Sequence, residues 1–443
     1  MSSNQIWETR PLEIWAKAKE LREGWKSSID NSKALLAQGN TGRYDWGSCF
    51  QKRMSIVEDN PVGAEMASKS DSFSRKSRLA SEIRGWGREL CGYVQNCWGS
   101  MFLGYQMDGS PFPMRDLVIP FPDPCDQHLM RGQQAMDYSP IPRWQMDYTI
   151  YLGPQDKERD KAMIEHRVQC TLLVINDIER IFGNKFDDEK FIETYHNRQK
   201  LEILAMEVSQ LMQNVPAPIG VKELYSFYTL GMLTKVDPQE TLNFWKELRD
   251  EIQWRVDNKI AAVGTERYRW MEAHPCPWHF MKYYRYLEQY GAVCIGSQYS
   301  HMMPGPMELN ENGQMQLRKL PRYIGTPALR TREDVIRAIY TDPMWPHAMK
   351  CDEYRHLEAI TDFAKGFKAD GAIMPLWRGG VGCTLTRKEQ ALRLDAMGVR
   401  VLHYEGSQPG DRTDMDEKQF LNRIDIWMES QGMRKLEKLE GAR

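Results

Sequence analysis

The chain of 443 residues is 41% hydrophobic and 27% charged, which excludes a disordered chain and supplies enough apolar material for a sizeable core. Its 59 Lys and Arg against 61 Asp and Glu leave a net charge of −2, so no electrostatic footprint for nucleic acid is present. The sequence lacks the run of about 18 apolar residues that a membrane span needs, and Met1-Ser-Ser-Asn-Gln-Ile-Trp-Glu-Thr-Arg-Pro11 has neither the basic nor the apolar region of a signal peptide. The expectation is a cytoplasmic globular protein of two or three domains that contacts neither membrane nor nucleic acid.

Residues 1–40 read as an N-terminal helical segment, with Trp15, Leu21 and Trp25 spaced among Lys and Glu, and Gln38-Gly-Asn-Thr-Gly42 breaks that pattern. Residues 41–160 form a first α/β region, whose best strands are Asp116–Phe121 and Tyr148–Leu152, where apolar and β-branched residues concentrate between turn formers. From Glu158 the texture changes. Ile164, Val168, Leu172, Ile175, Ile178 and Phe182 make one stripe of a long helix ended by Gly183. Further helices are expected over 187–213, 220–234 and 238–260, so that 161–264 reads as a helical connecting region whose stripes serve packing.

Residues 265–443 alternate strand and helix. Gly291–Gly296, Gly371–Leu376 and Val399–Tyr404 are short buried-strand candidates, and Glu417–Ser430 is a helix. Such alternation predicts an α/β fold with two Rossmann-like or flavodoxin-like parallel-sheet domains and additional helices. Ligands in such sheets bind beyond the carboxyl ends of the strands.

Nine cysteines are present: Cys49, Cys91, Cys97, Cys125, Cys170, Cys276, Cys294, Cys351 and Cys383. The odd number, irregular spacing and reducing compartment argue against a disulfide framework, and the absence of any Cys-x-x-Cys pair argues against a zinc knuckle or ferredoxin-like run. Position in the fold separates them better. Cys125 follows the strand ending at Phe121, and Cys383 follows the strand ending at Leu376 through Trp377-Arg-Gly-Gly-Val-Gly382. Cys91 precedes Cys125 by about the length of one strand–helix–strand unit, roughly 30 residues. Three thiolates from two domains would suit a cuboidal iron–sulfur cluster with one iron left open. Glycines 379, 380 and 382 would let backbone N–H groups approach its sulfides. Three scattered core thiols are the plain alternative.

Cys91-x-Tyr-x5-Gly99, Asp116-Leu-Val followed by Cys125-Asp126, Asp370-Gly-Ala-Ile, Cys383, Met397-Gly-Val-Arg-Val-Leu, Gly410-Asp-Arg412 and Asn422-Arg-Ile-Asp425 together resemble the family of 2-hydroxyacyl-CoA dehydratase and benzoyl-CoA reductase cluster subunits. The likeness spans roughly 45–430, and length, Trp content and the aromatic stretch Trp278–Tyr284 make the chain most similar to the benzoyl-CoA reductase branch. The resemblance implies a [4Fe–4S] cluster held by Cys91, Cys125 and Cys383, with Cys97 competing for the first place. Cys49, Cys170, Cys276, Cys294 and Cys351 match no ligand position and read as core or surface thiols.

The resemblance further implies an ATP-dependent, ferredoxin-driven reductase that dearomatises an aromatic acyl-CoA by alternating electron and proton transfers. Its partners would be a related sister subunit and ATP-hydrolysing iron–sulfur activator subunits. The chain has no Gly-x4-Gly-Lys-Ser/Thr loop of its own, consistent with nucleotide binding elsewhere. His279 and His301 are the candidate proton donors. Arg322 and Arg330 are candidates for the CoA phosphates. Glu405 and Asp411-Arg412 read as structural or interface residues. Three alternatives stay open: a 2-hydroxyacyl-CoA dehydratase subunit working through a ketyl radical, a non-catalytic scaffold subunit, and a zinc or thiol enzyme.

Overall fold

A computed structural model describes residues 5–30, 35–39, 46–52, 54–57, 66, 69–87, 90–119, 130, 138, 140–144, 156–228, 230, 238–272, 278–297, 307–317, 329–341, 353–377, 386–406 and 416–437. Helix α1 (Trp15–Asp30) precedes strand β1 (Leu35–Gly39), which lies between β2 (Met54–Val57) and β3 (Leu117–Ile119) in a parallel sheet. The central strand of this sheet thus comes from the segment expected to be helical. Leu35-Leu-Ala-Gln-Gly39 lacks β-branched and aromatic residues, and pairing along both edges overrides its weak propensity.

Between β2 and β3 run α2 (Asp71–Glu82) and α3 (Gly92–Leu103). Beyond β3, the Val118 N–H donates to Pro142 O at 2.9 Å and the Trp144 N–H to Val118 O at 3.3 Å, a parallel bridge on the outer edge. The expected strand Tyr148–Leu152 lies outside the described residues.

The helical middle comprises α4 (Lys157–Phe182), α5 (Asp188–Leu211), α6 (Val221–Tyr228) and α7 (Pro238–Asp257). Helix α4 keeps the predicted stripe. Asp156 caps its start by accepting from the Glu158 and Arg159 N–H groups, and Gly183, at φ 58°, ends it. These helices are shared between two cores. Val168, Val174, Ile175 and Ile178 of α4 with Phe191 and Tyr195 of α5 join Leu117 and Ile119, whereas the rest of α5, α6 and α7 join the second sheet.

That second sheet contains β4 (Tyr268–Glu272) and, after α8 (Lys282–Glu288), β5 (Ala292–Ser297). A small antiparallel pair follows, β6 (Met307–Leu309) with β7 (Met315–Leu317). Then come α9 (Arg332–Thr341), α10 (Glu353–Gly366), β8 (Gly371–Trp377), α11 (Arg387–Ala396), β9 (Arg400–Gly406) and α12 (Glu417–Ser430). All pairings in the order β5-β4-β8-β9 are parallel, so the α/β class expected from the sequence is observed. Helix α9 turns back to the first core: Val335, Ile336, Ile339 and Tyr340 are buried there, and its Arg332 pairs with Asp188 at 2.7 Å.

Strand β4 shows why charged residues occur in a fully buried strand. Its side chains alternate. Tyr268 packs its ring on Trp427 of α12 and Trp270 on Tyr283 and Tyr284 of α8, while Arg269 points to the opposite face. There its guanidinium donates to Phe367 O at 3.0 Å, Asn214 O at 3.1 Å and Met212 O at 3.0 Å, and pairs with Glu266. After α12, residues 433–437 cross back over the sheet's edge. Leu436 N–H donates to Gln289 O at 2.7 Å, Arg267 donates to Arg434 O at 2.6 Å, and Lys435 reaches Asp425 at 3.0 Å.

Candidate functional site

Two places in the fold carry the chemistry-bearing residues. The first is the start of α3. Cys91 is its N-cap residue, with φ −56° and ψ 125°, and its side chain makes no capping hydrogen bond. It caps a helix rather than ending a strand, so it sits at the helix end where the first-turn N–H groups carry partial positive charge, which favours an anionic ligand. It is buried in one apolar cluster with Tyr93, Val94, Trp98, Met101, Phe112 and Val118. Val118 is the middle residue of β3, the strand whose continuation leads to Cys125.

Helix α3 is held rigidly. Every residue from Gly92 to Met101 is buried, because the helix lies in near backbone contact with α2. Ser74 Oγ donates to Asn96 Oδ1 at 2.8 Å, and Ser81 Oγ donates to Gln95 O at 3.2 Å. Cys97 is in the middle of this packed helix, 1% exposed. Cys125 and Cys383 lie outside the described residues, as do glycines 379, 380 and 382. Among the described residues, no group of three or more His, Cys, Asp or Glu side chains is gathered to hold a metal.

The second place is the carboxyl edge of the four-stranded sheet. The chain leaves β4 through α8 to β5 on one side, and leaves β8 through α11 to β9 on the other. The switch point is therefore between β4 and β8, where ligands enter such sheets. Glu272 ends β4, in register with Ser297 of β5 and Ile373 of β8. It is fully buried, and Tyr283 Oη stands 2.7 Å from both carboxyl oxygens. Burial pushes this carboxyl well above its ordinary value, with the phenol only partly opposing. Glu272 did not stand out in the sequence, and Tyr283 did so only as one member of the aromatic stretch Trp278–Tyr284. The available signal was an acid closing the aromatic run Tyr268-Arg-Trp-Met-Glu272.

His279 occupies the turn Trp278–Phe280 that enters α8 and is buried. The surrounding Phe280, Tyr283 and Tyr284 belong to the main core, so this aromatic stretch is a packed surface. Arg330 is exposed just before α9, where its N–H donates to Asp334 Oδ2 at 3.0 Å. His301, Arg322 and Asp411-Arg412 lie outside the described residues, and Glu405 is exposed on β9.

Of the remaining cysteines, Cys49 is in the first core. Cys294 is in the second, where burial and then the neighbouring Glu272 push its thiol well up. Cys170 is half-buried on α4, with Sγ 3.6 Å from His166 Nε2. Cys276 and Cys351 lie outside the described residues.

Several motif residues prove structural. Asp370 accepts the Arg269 N–H at 2.8 Å, Gly371 leaves room for the Tyr268 hydroxyl, and Gly398 takes φ +83° between α11 and β9. Asp425 accepts from Tyr286 at 2.7 Å and Tyr290 at 2.6 Å. Among the described residues no helix is long and apolar enough to cross a membrane.

Residues 73–430 match the family model described as 2-hydroxyglutaryl-CoA dehydratase, D-component. The chain is 22% identical over 352 residues to the (R)-phenyllactyl-CoA dehydratase alpha subunit of Clostridium sporogenes, covering 78% of this chain and 77% of that one. It is 24% identical over 287 residues to one of the benzoyl-CoA reductase subunits of Thauera aromatica, covering 62% of this chain and 64% of that one.

Proposed function

The chain belongs to the 2-hydroxyglutaryl-CoA dehydratase D-component family, and from that premise we propose that it is a cluster-bearing catalytic subunit of a benzoyl-CoA-type reductase. In this reading Cys91, Cys125 and Cys383 hold a [4Fe–4S] cluster. The observation that carries it is Cys91 itself: a buried thiol at the N-terminus of a buried helix, in one cluster with the strand that leads to Cys125. The described part of the ligand set suits an anionic cluster, since Cys91 is the N-cap residue at the positive end of α3 and a thiolate is the ligand form. Cys97, packed in mid-helix, suits it less.

Transfer of single electrons to an acyl-CoA is the chemistry that such a cluster supplies when bound. The chain's own residues provide the rest. The packed α2–α3 pair fixes Cys91, and His279 or His301 gives the protons that a reduced ring needs. Arg322 and Arg330 meet the CoA phosphates. A related sister subunit, an ATP-hydrolysing activator and ferredoxin complete the assembly, and the substrate is an aromatic acyl-CoA.

A second reading, a 2-hydroxyacyl-CoA dehydratase subunit, is favoured by the wider match to the phenyllactyl-CoA enzyme. Anaerobic co-purification with the neighbouring subunits, followed by iron and acid-labile sulfide analysis and EPR, tests the cluster. About four irons and four sulfides per copy are expected, and an iron-free chain prepared without oxygen would sink it. Turnover separates the two readings. An aromatic acyl-CoA that oxidises the reduced donor stoichiometrically identifies the reductase; a 2-hydroxyacyl-CoA that loses water with little net electron use identifies the dehydratase.

A further inference from the structure

Glu272 is a fully buried carboxyl at the end of a central strand, and no cation stands within ion-pair distance of it among the described residues. Its side-chain partner is Tyr283 on α8, whose single phenol hydrogen faces two carboxyl oxygens, each at 2.7 Å. A neutral acid brings the second hydrogen that this arrangement lacks; a carboxylate does not.

The turn Trp278–Phe280 carries the buried His279, and the other charged and titratable groups around the pair do not offset a charge. Strand β5 presents the Cys294 thiol, which feels Glu272 and Glu223 as raising influences. Helix α6 presents Glu223 with Lys222, and α8 presents Glu288 with Arg285, so both cations already have acidic neighbours. Helix α12 brings the ring of Phe420, 5.5 Å from that of Tyr283, and its Glu417 is paired with Lys282. Strand β8 brings Ile373 in register. Among the described residues, α8 is the element that carries the partner of Glu272, and its lifting from β4 would let water reach a charge there.

We infer that Glu272 is a protonation latch: neutral, it closes α8 and the turn Trp278–Phe280 onto the end of β4; ionised, it releases them. The device belongs to the second sheet alone and needs neither cluster nor substrate. It places control of the β4 side of the switch point in the one proton that Glu272 gains or loses opposite Tyr283.

Hydrogen–deuterium exchange of the full chain tests this, comparing α8 amides with those of α7 from acidic to alkaline pH after correction for intrinsic exchange. One proton released on opening makes the opening equilibrium grow about tenfold per pH unit above the pKa of the open form, up to that of the closed one. Wild-type α8 should lose protection in that way while α7 does not. Glu272→Gln, whose amide stays neutral and can still donate to Tyr283, should give a flat profile. Identical pH profiles in wild type and Glu272→Gln would overturn the latch. Should the variant fail to fold, infrared spectroscopy of the wild type decides instead. A carboxylic-acid carbonyl band that disappears over the same pH range in which α8 loses protection supports it. The absence of such a band at neutral pH, or its loss without any change in α8, overturns it.

Discussion

A side chain on Gly99 would place its Cβ 1.7 Å from the carbonyl oxygen of Ser77. The two helices α2 and α3 therefore touch backbone to backbone, and the packing that fixes Cys91 rests on the missing methyl. Backbone cannot yield as a flexible side chain can. Gly99→Ala should destabilise the protein by about 3 kcal/mol and reduce the iron retained by the assembly, read by chemical denaturation and by metal analysis of the same preparation.

Cys91 and Cys97 separate by position. Cys91→Ser should remove most of the iron while leaving the secondary structure intact. Cys97→Ser, within the packed helix, should cost about 1 kcal/mol and keep the iron. Iron content with circular dichroism checks both, and equal iron loss in the two variants would contradict the assignment of the first ligand.

Stability should fall on the alkaline side because of Glu272. Its native carboxyl titrates well above the ordinary value of 4.5, through burial, so the native state holds a proton that the unfolded chain releases. The stabilisation is complete below the unfolded pKa and is lost as pH rises toward the folded one, by about 1.4 kcal/mol per pH unit. Denaturant unfolding across pH should show wild type losing stability relative to Glu272→Gln over that window.

Asp425 acts in the opposite sense. Burial opposes its ionisation, but hydrogen bonds from Tyr290 and Tyr286 and the contact with Lys435 outweigh that and hold it below the ordinary carboxylate value. Its contribution is present above the unfolded pKa and is lost as pH falls through the folded one. Asp425→Asn should cost about 2 kcal/mol at neutral pH and remove that part of the acid sensitivity, measured by the same unfolding series.

Arg269 joins the ends of α5 and α10 to β4 through three backbone carbonyls and Glu266. Arg269→Met keeps the volume but strands those acceptors and the buried Glu266. A loss of about 3–5 kcal/mol is expected, visible as a lowered unfolding midpoint.

Elements with strong periodicity were legible from the sequence. The α4 stripe, the helix Glu417–Ser430 and strands β5, β8 and β9 all formed within a residue or two of where pattern put them. Strands β1 and β4 were not legible, for different reasons. Leu35–Gly39 has no strand-forming residues, and Tyr268–Glu272 hides a buried strand behind Arg269 and Glu272, whose polar groups are met mainly by partners from other elements. The return of α9 to the first core was equally invisible, since it depends on Arg332 meeting Asp188. At the site, Cys91 could be singled out through its motif. Glu272 could not, and Tyr283 only as one of the aromatic stretch Trp278–Tyr284, because their pairing arises from the burial and the 2.7 Å contacts that the fold creates.

That return of α9 also bears on how the protein is made. Asp188 and Arg332 are 144 residues apart, so the first core lacks Val335, Ile336, Ile339 and Tyr340 until the later part of the chain leaves the ribosome. At about 5–20 residues per second the unfinished core stays open for roughly 7 to 29 s. The N-terminal half cannot complete its folding during its own synthesis, and a nascent chain with so much uncovered apolar surface is a natural client for chaperones.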